Sequence, residues 1–183
     1  MILNDVKPGD VFLIRSRGFW YSDAIAWFMK SQWSHCGFVR YKAVTGENIT
    51  LETSDYEMTY GSLEKYVAHP EKYHLKVFRV NGAFESEEKQ QLAMSITDEL
   101  YWGNLYGYLQ LLSFAVVCLG RRVGIKIPNF IRQGQVCTAG PLHYLSQSTH
   151  PLFAGVDPES LQTQDFADML DKVGAEVIFE SGK

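Results

Sequence analysis

Cysteine is scarce in this sequence, and its scarcity excludes two kinds of architecture. Three cysteines occur among 183 residues, at Cys36, Cys118 and Cys137, and no two of them form a CxxC pair. An odd number of cysteines without paired spacing predicts neither a disulfide framework nor a cysteine-rich zinc site. The pattern favours a protein of a reducing compartment, and the residues predict no metal and no cofactor.

A net positive charge and long apolar runs are also missing. The formal net charge is −4, and no cluster of Lys and Arg provides the positive surface that nucleic-acid binding requires, so nucleic acid is not an expected partner. The most apolar segment, from Leu109 to Leu119, is shorter than the ~20 residues of a transmembrane span and is predicted to be a buried helix. The N-terminal residues contain no apolar run of signal-peptide length, which predicts a cytoplasmic location.

What the sequence does contain is typical of one globular domain. Apolar residues make up 46% of the chain and charged residues 21%, which is ordinary for a folded protein. No internal repeat and no linker divides the sequence, and its length lies in the single-domain range. We therefore expect residues 1–183 to form a single domain, whose oligomeric state the sequence does not predict.

The spacing of the apolar residues predicts an α+β fold with a small antiparallel sheet. Alternating or continuous apolar runs between turn residues indicate strands, and a spacing of three or four behind a capping residue indicates helices. The predicted strands are Val11 to Ile14, Ser34 to Tyr41, Ile49 to Ser54, Leu75 to Val80 and Glu176 to Glu180. The predicted helices begin at Ser22, run from Ser86 to Leu100 and from Tyr101 to Leu119, and begin near Cys137 and at Thr163.

A histidine lies on the second predicted strand. Alternate side chains of a strand share a face, so His35 and Gly37 are expected on one face and Cys36 on the other. A glycine weakens a strand, and at position 37 it is expected to leave room for a helix or a substrate to approach the imidazole. Because Cys36 points away from His35 by this reasoning, the two residues are not expected to bind a metal together.

Cys137 is predicted at the start of a helix. It follows a turn-rich stretch, and Pro141, four residues later, is tolerated only in the first turn of a helix. The free N–H groups and the positive dipole end of a helix favour a thiolate, so the pKa of Cys137 is expected to fall. With an imidazole within hydrogen-bond reach, such a thiol becomes a nucleophile. Cys118 lies in an apolar segment and is expected to be inert.

A third group is expected to hold the imidazole in one orientation. If the hairpin loop consists of residues 43–46, His35 lies opposite Ser54, and Glu52 lies one diagonal step away on the same face, about 7–8 Å between backbones. A one-residue shift of the turn would instead bring Asp55 to the histidine face. Glu52 is therefore the predicted orienting residue, with Asp55 as the alternative.

Four short motifs resemble those of the permuted NlpC-type papain-like cysteine hydrolases, whose members place histidine before cysteine. The motifs are Lys7 to Val11, Ser34 to Val39, Leu51 to Thr53 and Val136 to Thr138. This superfamily includes bacterial and phage peptidases and amidases and the lecithin retinol acyltransferase branch. The resemblance implies a half-barrel of antiparallel strands packed against a helix that carries the nucleophile at its N-terminus. It also implies a catalytic triad of Cys137 as nucleophile, His35 as general base and Glu52 as orienting residue.

These residues predict a cysteine peptidase or amidase-type hydrolase that cleaves an amide or peptide bond through an acyl-thioester intermediate. The expected partner is a peptide, a cell-wall peptide or another acyl substrate, and a phage-encoded or phage-delivered enzyme would reach a cell wall without a signal peptide. One alternative is a lipid acyltransferase or thioesterase, favoured by the apolar segment beside Arg121 and Arg122. Another is a papain-like binding module without activity. The residues Thr138 to Pro141 differ from the polar pair that follows the cysteine in many relatives, so no second oxyanion donor is predicted.

Overall fold

The structure, a computed structural model, describes residues 3–42, 47–53, 58–101, 116, 119–120, 123–125, 137–158 and 161–182. Within these ranges the strands are β1 (Val11–Ser16), β2 (His35–Lys42), β3 (Glu47–Thr53), β4 (Met58–Gly61), β5 (Tyr73–Arg79) and β6 (Glu176–Ser181). The helices are α1 (Trp20–Met29), α2 (Glu64–Val67), α3 (Glu87–Tyr101), α4 (Ala139–Ser146) and α5 (Thr163–Lys172).

The six strands form one sheet in the order β4-β3-β2-β1-β5-β6, and each neighbouring pair is antiparallel. The predicted α+β class and antiparallel sheet are therefore confirmed. β1 is the centre of this sheet, between β2 and β5, and its residues Val11 to Ile14 are fully buried. Burial on both faces explains why the sequence of β1 is continuously apolar instead of alternating.

The two faces of the sheet are covered by different elements. The face that we call the helix face packs against α3, α4 and α5, through contacts among Leu13, Phe38, Phe78, Met94, Leu142 and Phe166. The face that we call the opposite face is covered by the N-terminal segment and α2, through Val6, Phe12, Ile14, Val77, Leu63 and Tyr66. Full burial of one such side chain stabilises the fold by about 1.5–3 kcal/mol, so both layers hold the sheet in place.

The turn before β1 ties the N-terminus to the sheet. The Asp10 carboxylate is 2% exposed and accepts two hydrogen bonds of 2.8 Å from the Arg79 guanidinium. Gly9, at φ 91°, donates its N–H to the Val39 carbonyl at 2.9 Å. Only glycine adopts this φ readily, and a Cβ at position 9 would lie 1.9 Å from the Gln90 amide nitrogen.

The first helix begins earlier than its predicted capping residue. α1 starts at Trp20, with Phe19 in the N-cap position, so the prediction that Ser22 caps it is wrong. The Ser22 hydroxyl donates to the Ser16 carbonyl at 2.9 Å instead and fixes the first turn of α1 to the end of β1. Serine competes for nearby carbonyls in this way, and a capping pattern alone does not distinguish the two uses.

The helix predicted from Ser86 to Leu100 is confirmed as α3, but its buried row differs from the leucine and isoleucine row that marks it in the sequence. Leu92, Ile96 and Leu100 are 61%, 38% and 51% exposed. Ala93, Met94, Thr97 and Tyr101 are the buried residues of α3. The four-residue spacing thus identifies the helix correctly without identifying the face that packs against α4.

The elements at the end of the chain follow their predictions. α5 begins at Thr163 and buries Phe166 and Leu170, and β6 begins at Glu176 and pairs with β5. The helix predicted from Tyr101 to Leu119 lies largely outside the described residues, as do Cys118, Arg121 and Arg122. Among the helices that the structure describes, none combines the length and apolar character that a membrane crossing requires.

Candidate active site

Cys137 immediately precedes α4, as its sequence context predicts. Thr138 is the N-cap residue of α4, and Pro141 is the third helical residue, within the first turn. The Thr138 hydroxyl donates to the Leu161 carbonyl at 2.9 Å, which anchors the start of α4 to the segment before α5. Cys137 is 8% exposed, so its sulfur is enclosed by protein on most sides.

His35 is the first residue of β2 and lies at the end of the sheet, paired with Ile14 of β1. Its ring meets the edge of the Phe12 ring, with 6.5 Å between the centroids. The expectation that Gly37 leaves room beside the imidazole for a helix or a substrate is wrong. A Cβ at Gly37 would lie 2.4 Å from the Phe12 ring, so an aromatic side chain from the neighbouring strand occupies that space.

Glu52 lies on the histidine side of the β2–β3 hairpin, in the register that a loop of residues 43–46 requires. Gly37 pairs with Glu52 and Lys42 pairs with Glu47, so Glu52 is one diagonal step from His35. The His35 Nε2 and the Glu52 Oε2 are 3.2 Å apart. The alternative orienting residue, Asp55, and Ser54 lie outside the described residues.

The Glu52 carboxylate is 3% exposed and is held by three further groups. The Tyr66 hydroxyl donates to Oε2, the Thr50 hydroxyl donates to Oε1 at 2.9 Å, and the Lys65 ammonium lies 2.9 Å from Oε1. Burial raises the pKa of Glu52, but His35, Lys65 and Tyr66 outweigh it and lower the pKa to about 2. A buried carboxylate needs such a set of partners to stay ionised.

The imidazole and the thiol stabilise each other's charged forms. Cys137 and His35 interact closely enough that each changes the pKa of the other, so the imidazole interacts with the sulfur as well as with Glu52. Burial lowers the pKa of His35, but the hydrogen bonds and charges of Cys137 and Glu52 prevail and raise the pKa to about 9. At neutral pH this arrangement favours an imidazolium between two anions.

Cys36 also lies near the sulfur of Cys137, although strand parity places it on the face away from His35. Its side chain is fully buried in the helix-face cluster, which also contains Cys137, and the two thiols change each other's pKa. Parity correctly separates Cys36 from His35, but the sequence does not show that one sulfur meets both. Cys137 can interact with both residues because His35 is the first residue of β2. At this end of the sheet, the Cys137 sulfur on the helix face also reaches the imidazole.

Three contacts set the ionisation of Cys137. The hydrogen bond with Cys36 lowers the pKa of Cys137 most, burial opposes this effect, and His35 lowers the pKa further, so the result lies well below that of an ordinary thiol. Burial raises the pKa of Cys36 well above its usual value. The Cys137 thiol is thus the acidic one and Cys36 the donor. The Thr163 hydroxyl, 3.8 Å from Cys137 Sγ, is the third neighbour of the sulfur and also lowers its pKa.

Thr163, Thr50, Lys65 and Tyr66 are residues of the candidate site that the sequence reasoning missed. Only Thr50 carried a usable signal, because it precedes Glu52 by two residues on one strand and therefore shares its face. Tyr66 and Lys65 lie on the short helix α2, and Thr163 begins α5. Tertiary packing alone brings these three side chains to the site.

Two other histidines contact groups outside the candidate site. His143 Nδ1 lies 3.0 Å from the Thr97 hydroxyl of α3, and His74 Nε2 lies 2.9 Å from Glu180 Oε1. Within the described ranges, no group of three or more His, Cys, Asp or Glu side chains is placed to hold a metal ion.

The fold is similar to a solved structure described as metalloprotein yiiX from Escherichia coli O157:H7. The two chains share 21% sequence identity over 79% of this chain and 67% of the other, with a TM-score of 0.55. At this level of identity the similarity shows the fold alone. No family model matches the chain, and no curated protein matches it.

Proposed function

We propose that the protein is a cysteine hydrolase with a permuted papain-like fold, which cleaves an amide or peptide bond through an acyl-thioester intermediate. Cys137 is the nucleophile, His35 the general base and acid, and Glu52 the residue that orients the imidazole. The observation that carries the proposal is that His35 interacts both with Cys137 and, at 3.2 Å, with Glu52. A thiolate, an imidazole and a buried carboxylate in this order are the parts of a nucleophilic triad.

The proposed reaction follows from the charges of these three groups. The Cys137 thiolate attacks the carbonyl carbon, and the His35 imidazolium protonates the leaving amine as the carbon–nitrogen bond breaks. The neutral imidazole then takes a proton from water, and the resulting hydroxide attacks the thioester and releases the acid and the Cys137 thiolate, which restores the starting thiolate and imidazolium. Glu52 keeps its charge throughout and holds the Nε2 side of the ring.

The start of α4 suits the negative charge that develops on the carbonyl oxygen. The first N–H groups of a helix have no partner within it, and its dipole favours an anion there. We assign the backbone N–H of Cys137 as one donor to the oxyanion. Because the sulfur lies immediately before this helix end, a carbonyl attacked by the thiolate lies next to these donors.

The order of the elements supports the permuted papain-like fold. His35 and Glu52 come first in the chain on adjacent antiparallel strands, and Cys137 follows at the head of a helix. The name of the structural neighbour describes a metalloprotein, but the described residues of this chain do not fit a metal centre, since His35, Cys36 and Cys137 do not form a ligand group. The proposed mechanism therefore has no step through a metal.

The substrate is proposed only as a class. A peptide or a cell-wall peptide provides the amide bond that the mechanism needs, and a cytoplasmic or phage-delivered enzyme remains the prediction from the sequence. The lipid acyltransferase alternative depends on the segment from Leu109 to Leu119, which lies largely outside the described residues. A panel of peptide, acyl-ester and acyl-thioester substrates distinguishes these classes by the adduct that each leaves on Cys137.

The substitution Cys137→Ala tests the proposal. It is expected to lower turnover of any substrate in the panel by at least about 10³-fold, because the covalent route is removed, while the circular dichroism spectrum stays unchanged. Mass spectrometry of the wild-type protein is expected to find the acyl group on Cys137. Turnover that survives in the Cys137→Ala variant would falsify the assignment, and a wild-type protein with neither turnover nor adduct would favour the inert binding module.

A further inference from the structure

The proposed reaction uses one of the two sulfurs at the site and leaves the other without a role. Cys36 is fully buried, whereas Cys137 is 8% exposed. Both side chains belong to the helix-face cluster, and each thiol changes the pKa of the other. They come from different elements, since Cys36 lies on β2 beside Leu13 of β1 and Cys137 precedes α4. A second thiol next to a nucleophilic sulfur allows the two sulfurs to be oxidised to a disulfide, a reaction that is separate from acyl transfer.

We propose that Cys36 and Cys137 form a disulfide when the protein meets a hydroperoxide, so that Cys36 is the resolving cysteine of a reversible redox switch. As a means of regulating the hydrolase, the switch rests on the proposed function. As a modification site, it rests on the shared position of the two thiols in the helix-face cluster and on the greater exposure of Cys137.

The chemistry requires two steps and one oxidant. In the first step the Cys137 thiolate attacks the terminal oxygen of the hydroperoxide, the oxygen–oxygen bond breaks, and Cys137 becomes a sulfenic acid while the oxidant leaves as hydroxide or alkoxide. In the second step the Cys36 sulfur attacks the sulfenic sulfur, and the hydroxyl group leaves as water with the Cys36 proton. Two electrons pass from the two sulfurs to the peroxide, and a dithiol reductant reverses the reaction.

The burial of the two residues fits these roles. The oxidant must reach the thiolate, and thiolate character and exposure both select Cys137. Cys36 needs no access to solvent, because its only reaction partner is the neighbouring Cys137 sulfur. To form the bond, the two sulfurs must approach to about 2.05 Å. A disulfide removes the thiolate that attacks the substrate, so the oxidised protein is expected to be inactive.

The experiment uses the full chain, reduced, freed of reductant and treated with hydrogen peroxide. The remaining thiols are then alkylated, and the protein is digested for mass spectrometry. In the wild-type protein we expect a peptide pair linked through Cys36 and Cys137, a mass lower by about 2 Da from the loss of two hydrogens, and full recovery of both thiols with dithiothreitol. Acyl turnover is expected to disappear and return in parallel.

Two variants serve as matched comparisons. Cys36→Ser keeps a hydrogen-bond donor but cannot form the bond, so Cys137 should proceed to the sulfinic acid, which dithiothreitol does not reduce. Cys118→Ser should give the same linked peptide as the wild type. If Cys36→Ser fails to fold, the peptide maps of the wild type and of Cys118→Ser decide the question.

Three results overturn the switch: a wild-type Cys137 sulfinic acid with Cys36 still alkylated, a link through Cys118, or no oxidation of either residue. These results are distinct from a failure of the proposed function. A linked peptide in a protein without acyl turnover keeps the redox pair and rejects the hydrolase. Turnover without a linked peptide keeps the hydrolase and rejects the switch.

Discussion

Two histidine–glutamate pairs cross neighbouring strands of the same sheet with the same geometry. His35 lies two residues before Gly37, which pairs with Glu52, and His74 lies two residues before Lys76, which pairs with Glu180. The nitrogen–oxygen distances are 3.2 Å and 2.9 Å. A diagonal step across an antiparallel ladder is therefore sufficient to produce such a pair, and the pair alone does not identify a site.

The surroundings of the two pairs are what differ. The Glu52 side chain is 3% exposed and the Glu180 side chain 21% exposed. Glu52 has three further partners and His35 has the Cys137 sulfur, whereas the His74 ring packs against Trp33, with 4.9 Å between centroids. The comparison teaches that burial of the carboxylate and a thiol on the other side of the imidazole distinguish the candidate active site from a structural pair.

The largest difference between the two pairs is expected when each imidazole is removed and kcat/KM is measured. His35→Ala is expected to lower kcat/KM by about 10²–10⁴-fold, because the thiol loses its proton acceptor and the leaving group its proton donor. His74→Ala removes a partly exposed pair, which contributes little, and is expected to change kcat/KM by less than about twofold. Steady-state kinetics of both variants on one substrate provides the measurement, and equal losses contradict the distinction.

Replacing each of the two carboxylates with a neutral amide is expected to distinguish the pairs by the pH dependence of kcat. The charge of Glu52 favours the imidazolium, so its loss in Glu52→Gln lowers the pKa of His35 from about 9. The alkaline limb of the kcat–pH profile should then move to lower pH by about one unit or more. Glu180→Gln should leave that limb in place. If both variants keep the wild-type limb, Glu52 does not orient or charge the imidazole.

A smaller effect is expected from a methyl group placed against the Glu52 carboxylate. A Cβ at Gly61 of β4 would lie 2.0 Å from Glu52 Oε1 and 2.9 Å from the Thr50 hydroxyl oxygen, so Gly61→Ala must displace the carboxylate. The alkaline limb should move in the same direction as in Glu52→Gln, but less far. Added to Glu52→Gln, the change should have little further effect, because the two act through one contact. Additive shifts contradict this coupling.

Five of the six strands could be predicted from the sequence because local periodicity and turn chemistry determine them, whereas the four-residue strand β4 was not predicted. The hairpin register was predictable in the same way: the length of one loop fixes which face carries Glu52, and Glu52 is found beside His35. The position of Cys137 was predictable because Pro141 restricts where a helix can begin.

The parts that could not be predicted depend on contacts between distant segments. Strand parity places Cys36 on the face away from His35. Parity describes a single strand, and it does not show which residues meet where the end of the sheet packs against a helix. Tyr66 and Lys65 come from a helix of four residues, too short for a periodic signal. Phe12 fills the space beside Gly37 from another strand, and no local pattern distinguishes a glycine that admits a substrate from one that admits a ring.

The pH dependence of Cys137 alkylation tests the central claim most directly, because it measures the thiolate without any assumption about the substrate. An ordinary cysteine thiol has a pKa of about 8.5. Iodoacetamide labelling of the wild-type protein should show a Cys137 thiolate that forms at a pH well below this value, and His35→Ala should move the midpoint upward toward it. His74→Ala should leave the midpoint unchanged. An ordinary midpoint in the wild type, or one that His35→Ala does not move, contradicts the claim that the imidazole and the sulfur form an ion pair.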